Sequence, residues 1–265
     1  LTDKFAKVAT MTRSVSQAEQ YLDKCPKQYE LQRVRGVTPR PAAWSHQGNA
    51  FHSAIEKFEE GGRRLTADQV ADLFHGEYTA LVNKSLEREP NLDHWLTAGT
   101  DGQSDIEGRY VLGMAQTRAY VEWAQKAEPV IWKDPEGKPG IERHLTAKIG
   151  DVTVQGYVDQ LLERPNGSVR VRDLKTGSTK SKFQLKTYGV LARKVLGVEV
   201  NDADWYMAKT GGPSRPVDLT EVTEDAVAER FAELDQGVKA GNFPPRPGFH
   251  CRFCDVAYAC SSRRK

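Results

Sequence analysis

The spacing of apolar residues changes period along the chain, dividing it into a helical beginning, a strand-rich middle and a mixed end. Ser14 and Ser16 can cap an amphipathic helix, and Pro26 should interrupt and restart it, with the second piece reaching Val34. Phe51, Ile55 and Phe58 recur at helical spacing and mark the buried stripe of a helix over 48–60. Two further helices are expected over 67–87 and 104–126, separated by a loop over 90–104 that contains Gly99-Thr100-Asp101-Gly102. From Pro129 the period shortens towards two, which predicts strands over 129–133, 141–149, 151–163 and 168–175. A helix over 181–196, strands over 198–208 and 216–219 and a helix over 223–240 follow, and the Pro-rich NFPPRPGFH ends regular structure. With no internal repeat and no long linker, the simplest arrangement is α/β (α+β), one mixed sheet flanked by helices.

Length and charge narrow the picture. The 265 residues suit one domain, with a mainly helical part over 1–127, a sheet core over 128–220 and a C-terminal helix and cysteine cluster over 221–265. A mean hydropathy of −0.61 and the lack of any apolar run near the roughly 18 residues of a spanning helix exclude a helical membrane protein. The segment LTDKFAKVATMTRSVSQ has no apolar core of a secretory signal, so a cytoplasmic location is expected. A net charge of +2 is far from that of a protein that coats nucleic acid indiscriminately, so a polyanion would be met locally. The last 25 residues offer one such place, where Arg246, Arg252, Arg263, Arg264 and Lys265 face only Asp255. Arg33, Arg35, Lys180, Lys182 and Lys186 are further candidates for following a phosphate backbone.

The stretch GYVDQLLERPNGSVRVRDLKTG, residues 156–177, is the most informative. Arg164-Pro165-Asn166-Gly167-Ser168 fits a three-residue hairpin loop in which Pro opens a type I turn and Gly takes the left-handed position of a bulge. That loop sets Arg164 opposite Ser168, and therefore Asp159 opposite Asp173 and Tyr157 opposite Lys175, all on one face with Leu161, Val169 and Val171. A two-residue Asn-Gly loop would shift the register by one and send Asp159 to the other face. Two carboxylates about 5 Å apart beside an apolar surface repel, so one is protonated or a cation lies between them. Oxygen ligands of this kind suit magnesium or manganese, while Lys175 could instead serve as counter-ion in a structural network. Downstream, Gln184 and Tyr188 lie on the helical stripe completed by Leu191 and Val195, which turns a polar amide inward. His52 borders the Phe51 stripe, where a packing role competes with a ligand role.

The ordered set Gly48 to His52, Gly156-Tyr157-Val158-Asp159, Asp173-Leu174-Lys175-Thr176-Gly177 and Gln184 with Tyr188 resembles the signature of RecB-type nucleases of the PD-(D/E)xK superfamily. The resemblance implies a restriction-endonuclease-like core in which His52, Asp159, Asp173 and the backbone carbonyl of Leu174 bind the catalytic metal, with Lys175 beside the attacking water. It also implies that Gln184 and Tyr188 position DNA or Lys175, and that Glu142 matches a less regular acidic position. Phosphodiester hydrolysis needs an activated water and neutralised phosphoryl charge, which a divalent cation supplies and a lysine assists.

The four cysteines fall near the chain ends, Cys25 in DKCPKQYE and Cys251, Cys254 and Cys260 in HCRFCDVAYAC. Four thiolates suit zinc or an iron-sulfur cluster, His250 keeps a Cys-His zinc variant open, and disulfides are the weaker choice without a secretory signal. One upstream cysteine followed by proline, with a distal C-x2-C-x5-C, is similar to the cysteine staple of the AddB nuclease domain and the CRISPR-associated adaptation exonucleases. That likeness implies a structural 4Fe-4S cluster joining the chain ends, with zinc as the alternative. The absence of G-x-x-x-x-G-K-[ST] excludes an ATP motor on this chain. The leading expectation is a bacterial or phage-encoded metal-dependent DNA exonuclease acting on single-stranded ends in recombination, repair or phage DNA metabolism. The alternatives are a catalytically silent DNA-end-binding module and a zinc-stapled partner of recombination or CRISPR-adaptation proteins.

Overall fold

A computed structural model describes residues 2–178 and 181–263; Lys180, Arg264 and Lys265, named above for their charge, lie outside the described residues. In chain order the elements are α1 (Thr2–Thr10), β1 (Arg13–Ser14), α2 (Val15–Ala18), α3 (Pro26–Tyr29), α4 (Ala43–Glu60), α5 (Ala67–Arg88), α6 (Gly102–Ala127), β2 (Ile141–Ile149), β3 (Val152–Glu163), β4 (Val169–Lys175), α7 (Phe183–Leu196), β5 (Asp202–Met207), β6 (Gly212–Pro213), β7 (Val217–Asp218) and α8 (Asp225–Lys239). Short π-helical and 3-10 turns link some of them. The chain forms two compact units, one built from Pro41–His144 and Tyr157–Glu221, the other from Leu1–Arg40, Leu145–Gly156 and Val222–Lys265. Among the described residues no helix is long and apolar enough to cross a membrane.

In the larger unit, α4, α5 and α6 bury one face each. Phe51 and Phe58 of α4 meet Phe74 and Tyr78 of α5, Tyr120 of α6, and Leu174 and Tyr206 from the strands. Helix α5 starts at a capping box between Thr66 and Gln69, and α6 at Asp101, whose carboxylate accepts the Ser104 amide. Gly113 is required by close approach, because a Cβ there would lie 2.0 Å from Phe74 Cζ. Strand β4 pairs antiparallel with β3 and parallel with β5, and β6 and β7 add short antiparallel edges to β5. The resulting mixed sheet flanked by helices is the expected α/β, restriction-endonuclease-like fold class. On β4 and β5, Arg172 makes a two-pronged contact with the buried Asp204, 2.7 Å on each side, beneath the Trp123 ring.

The central hairpin has the three-residue loop. The Arg164 amide donates to Ser168 O at 2.9 Å, Gly167 N to Arg164 O at 2.9 Å, and Gly167 takes φ +81°. Gln160 therefore faces Arg172, and Leu161 faces Val171, the register in which Asp159 and Asp173 share a face.

The smaller unit centres on Arg13, fully buried, whose guanidinium binds Asp235 at 2.8 Å and the Val8 carbonyl at 2.8 Å. β1 pairs parallel with the first half of β3, Arg13 opposite Val154. Tyr21, Tyr29 and Phe243 stack into one aromatic cluster. Ser14 does cap a helix, and Pro26 opens the next at its first turn.

Several expected boundaries move. The segment over 129–133 forms isolated bridges rather than a continuous strand: Ile131 pairs with Leu162 and Lys133 with Pro139, while the Glu163 amide donates to Val130 O and the Trp132 amide to Leu161 O, each at 2.9 Å. Helix α4 begins five residues before 48, at Ala43, directly after Pro41 and Ala42. Val195 is exposed rather than part of the buried α7 stripe, because α7 turns its Leu185, Leu191 and Ala192 inward instead. Helix α1, which the sequence reading does not assign, buries Val8.

Candidate active site

The site assembles at the end of the β3–β4 ladder. Pairing runs as far as Gln160 and Arg172, and there Asp159 Oδ2 takes over, accepting the Leu174 backbone N–H at 2.6 Å. Helix α4 brings His52 alongside. Its Nε2 lies 3.0 Å from Leu174 O and donates to it, which leaves Nδ1 facing Asp159 Oδ2 at 3.6 Å and Glu142 Oε1 at 3.8 Å. Glu142, at the start of β2, has φ 43°, a left-handed conformation that costs a bulky residue about 1–3 kcal/mol. One ligand atom from each of His52, Glu142 and Asp159 lies within 4.8 Å of the other two.

Asp173 and Lys175, two residues apart on β4, form an ion pair of 2.6 Å. The Lys175 ammonium also donates to Gln184 Oε1 at 3.0 Å, and Gln184 Nε2 donates to the Tyr188 hydroxyl at 3.1 Å. The i, i+4 spacing on α7 thus connects the phenol to the ammonium through one amide. Of the residues named from the sequence, His52, Glu142 and Asp159 converge on one point, whereas Asp173 is engaged by Lys175 and the Leu174 carbonyl by His52. Tyr157, exposed, stacks on His144 with ring centroids 4.5 Å apart.

The electrostatics follow from this crowding. Burial alone would push the His52 imidazole down, but the carboxylates of Asp159, Glu142 and Asp173 overcome it and raise it to about 9. Burial raises Asp159 above the carboxylate range; the His52 charge opposes this, and Asp173 and Glu142 add to it. Asp173 is raised by burial against the pull of Lys175. Burial likewise holds Tyr188 as a neutral phenol. This is a cluster short of positive charge, and mixed nitrogen and carboxylate donors suit a hard divalent ion, manganese somewhat more than magnesium.

The sequence reading passes over the surroundings of His52. A groove of about 470 Å³ is lined by Trp44, Asn49, Ser53 and Glu56 as well as His52 and Glu142. Glu56 stands one turn beyond His52, and burial with the nearby Glu142 raises its carboxyl. The i, i+4 spacing of His52 and Glu56 was the available signal; Trp44 and Asn49 precede the expected start of the helix or lie at its edge and carried none.

The cysteines, all thiols and all half-buried, belong to the smaller unit. Cys25 Sγ accepts the Arg246 amide and Cys251 Sγ the Gly248 amide, each at 3.4 Å. Burial lifts the Cys254 thiol to about 11 despite a bond from the Val256 amide, with Asp255, Cys25 and Cys251 contributing.

The profile of the PD-(D/E)XK nuclease superfamily matches residues 12–261. The Gene 69 protein of Mycobacterium phage D29 is 39% identical over 259 residues, covering 94% of this chain and 96% of its own length. The Gene 69 protein of Mycobacterium phage L5 is 34% identical over 278 residues, covering 94% and 95%. The crystal structure of SSO0001 aligns over the whole chain at 11% identity with a TM-score of 0.39, too distant to inform the site. The chain belongs to the PD-(D/E)XK nuclease superfamily.

Proposed function

We propose that this protein is a divalent-metal-dependent DNA exonuclease acting at single-stranded ends. The observation that carries the reading is the convergence of His52 Nδ1, Glu142 and Asp159 next to the Asp173–Lys175 pair. His52, Glu142 and Asp159 would hold the ion, with Asp173 able to join them on leaving Lys175. A divalent cation there supplies neutralisation of phosphoryl charge and a more acidic water. Lys175, aimed by Gln184, would orient the attacking water and, as an ammonium, steady the negative charge that grows on the phosphoryl oxygens, and Tyr188 fixes the Gln184 amide through its hydroxyl. Leu174 O holds the His52 ring so that Nδ1 is the nitrogen offered. The groove holding Trp44 and Asn49 gives a nucleotide a place beside these groups.

At Cys25, Cys251, Cys254 and Cys260 the reading places a structural 4Fe-4S cluster. One observation supports it. Backbone N–H groups already point at the sulfurs of Cys25, Cys251 and Cys254, as bound thiolates require. Metal analysis and the visible absorbance of anaerobically purified protein decide between iron and zinc.

The test of the activity is digestion of end-labelled single-stranded DNA with manganese, comparing wild type with Asp173→Ala and Lys175→Ala. Mononucleotide release by wild type, lost in both variants while they stay folded, is expected. Binding without cleavage by wild type would instead make the chain a silent DNA-end-binding module.

A further inference from the structure

The cysteine segment exposes more aromatic surface than a folded chain needs. Phe249 is 71% exposed and Phe253 48%, with ring centroids 5.8 Å apart at an edge-to-face angle of 64°. Arg252, exposed between them in sequence, lays its guanidinium over the Phe249 ring at 5.6 Å. Tyr258 is 58% exposed, its hydroxyl held by the Thr38 carbonyl, so that ring too is fixed with a face in water. Large apolar side chains left in water are unfavourable, and a cluster of them marks a binding surface.

Charge selects the occupant. Between 243 and 263 there are three arginines, Arg246, Arg252 and Arg263, and a single acid, Asp255. Asp255 is turned away into the side-chain amides of Gln28 and Gln32. A protein partner with an apolar contact needs no such excess of arginine, whereas flat bases on aromatic rings with phosphates on arginines need both. The rings lie beside Cys251 and Cys254 in sequence, whose sulfurs accept the Gly248 and Val256 amides.

From this we propose that Phe249, Arg252 and Phe253 form a stacking platform for single-stranded DNA, two adjacent bases lying on the rings with a phosphate on Arg252. This rests on the nuclease reading for its ligand but assigns a surface that reading does not use. Each ring should contribute about tenfold to affinity, and Arg252 should steepen the salt dependence by about one unit of slope.

The experiment is fluorescence anisotropy of a labelled thymidine oligonucleotide without added divalent ion, run beside the manganese cleavage assay on the same preparations. Phe249→Leu/Phe253→Leu keeps apolar volume and removes the π faces; Phe249→Trp keeps a face. The leucine pair should bind about a hundredfold more weakly and the tryptophan variant as well as wild type, with melting temperature and cysteine-bound metal unchanged. Wild-type affinity in the leucine pair overturns the platform, and so does a change of oligomeric state at gel filtration with affinity intact. If wild type binds the oligonucleotide through the platform yet cleaves nothing, the nuclease reading fails and the platform stands. If it cleaves and the leucine pair binds normally, the reverse holds.

Discussion

Two regions of this molecule gather groups that become anions, and they manage the charge differently. Around Asp159 the carboxylates already have company: the His52 imidazole faces Asp159, Lys175 pairs with Asp173, and the Leu174 amide donates to Asp159. A rigid strand pair and helix hold them whether or not an ion is present. Backbone amides donate to the sulfurs of Cys25, Cys251 and Cys254, and burial pushes the Cys254 thiol up to about 11 rather than down. An acid cluster only partly offset by Lys175 suits a cation that comes and goes with substrate. Thiols joined from Cys25 and from 251–260 suit an ion that stays, since its binding energy becomes folding energy.

That contrast can be broken in four ways, from the largest effect down. Cys254→Ala should lose all cysteine-bound metal and lower the melting temperature by more than about 10 °C, by analogy with other structural metal sites. A melting curve like that of wild type would remove the distinction. Asp173→Ala should do the opposite, costing about a thousandfold or more in cleavage while the melting temperature moves by only a few degrees.

Gln184→Leu should reduce kcat about 10- to 100-fold with little change in KM, because it frees Lys175 without touching the phosphate. Tyr188→Phe should cost less than that, since the phenol acts one step further back. Equal losses in both would mean that Tyr188 touches DNA directly. The smallest effect concerns stability without divalent ions. A carboxyl raised by folding, as at Asp159, destabilises the folded state as pH rises above its unfolded value. His52, raised to about 9, contributes stability below its ordinary value that is lost as pH climbs through 9. The melting temperature should therefore rise as pH is lowered from 9 towards 5. Asp159→Asn should raise it at pH 8 by about 2–4 °C, roughly 1 kcal/mol, while abolishing cleavage. A lower melting temperature in that variant would show that the Leu174 bond outweighs the repulsion.

How far the sequence reaches depends on the range over which each feature is decided. The β3–β4 hairpin is legible because five residues, Arg164 to Ser168, set its register, and the register places Asp159 and Asp173 together. Gln184 and Tyr188 are legible because helical spacing is local. The meeting of His52 with Leu174 spans 122 positions, so resemblance could name both but periodicity could neither join them nor show the carbonyl already engaged. Glu142 owes its place to a left-handed backbone that no propensity predicts for glutamate. The strand expected over 129–133 survives only as bridges at Ile131 and Lys133, because alternation locates a segment that meets the sheet but not how far the ladder continues.

Where β3 and β4 part, a side chain replaces a main-chain acceptor, so the last rung of the sheet is only as strong as the charge on Asp159. Protonating that oxygen, or drawing its electrons towards an ion, loosens the Leu174 amide. Hydrogen exchange at this single amide would then act as a built-in gauge of occupancy, reporting from the backbone what the site holds.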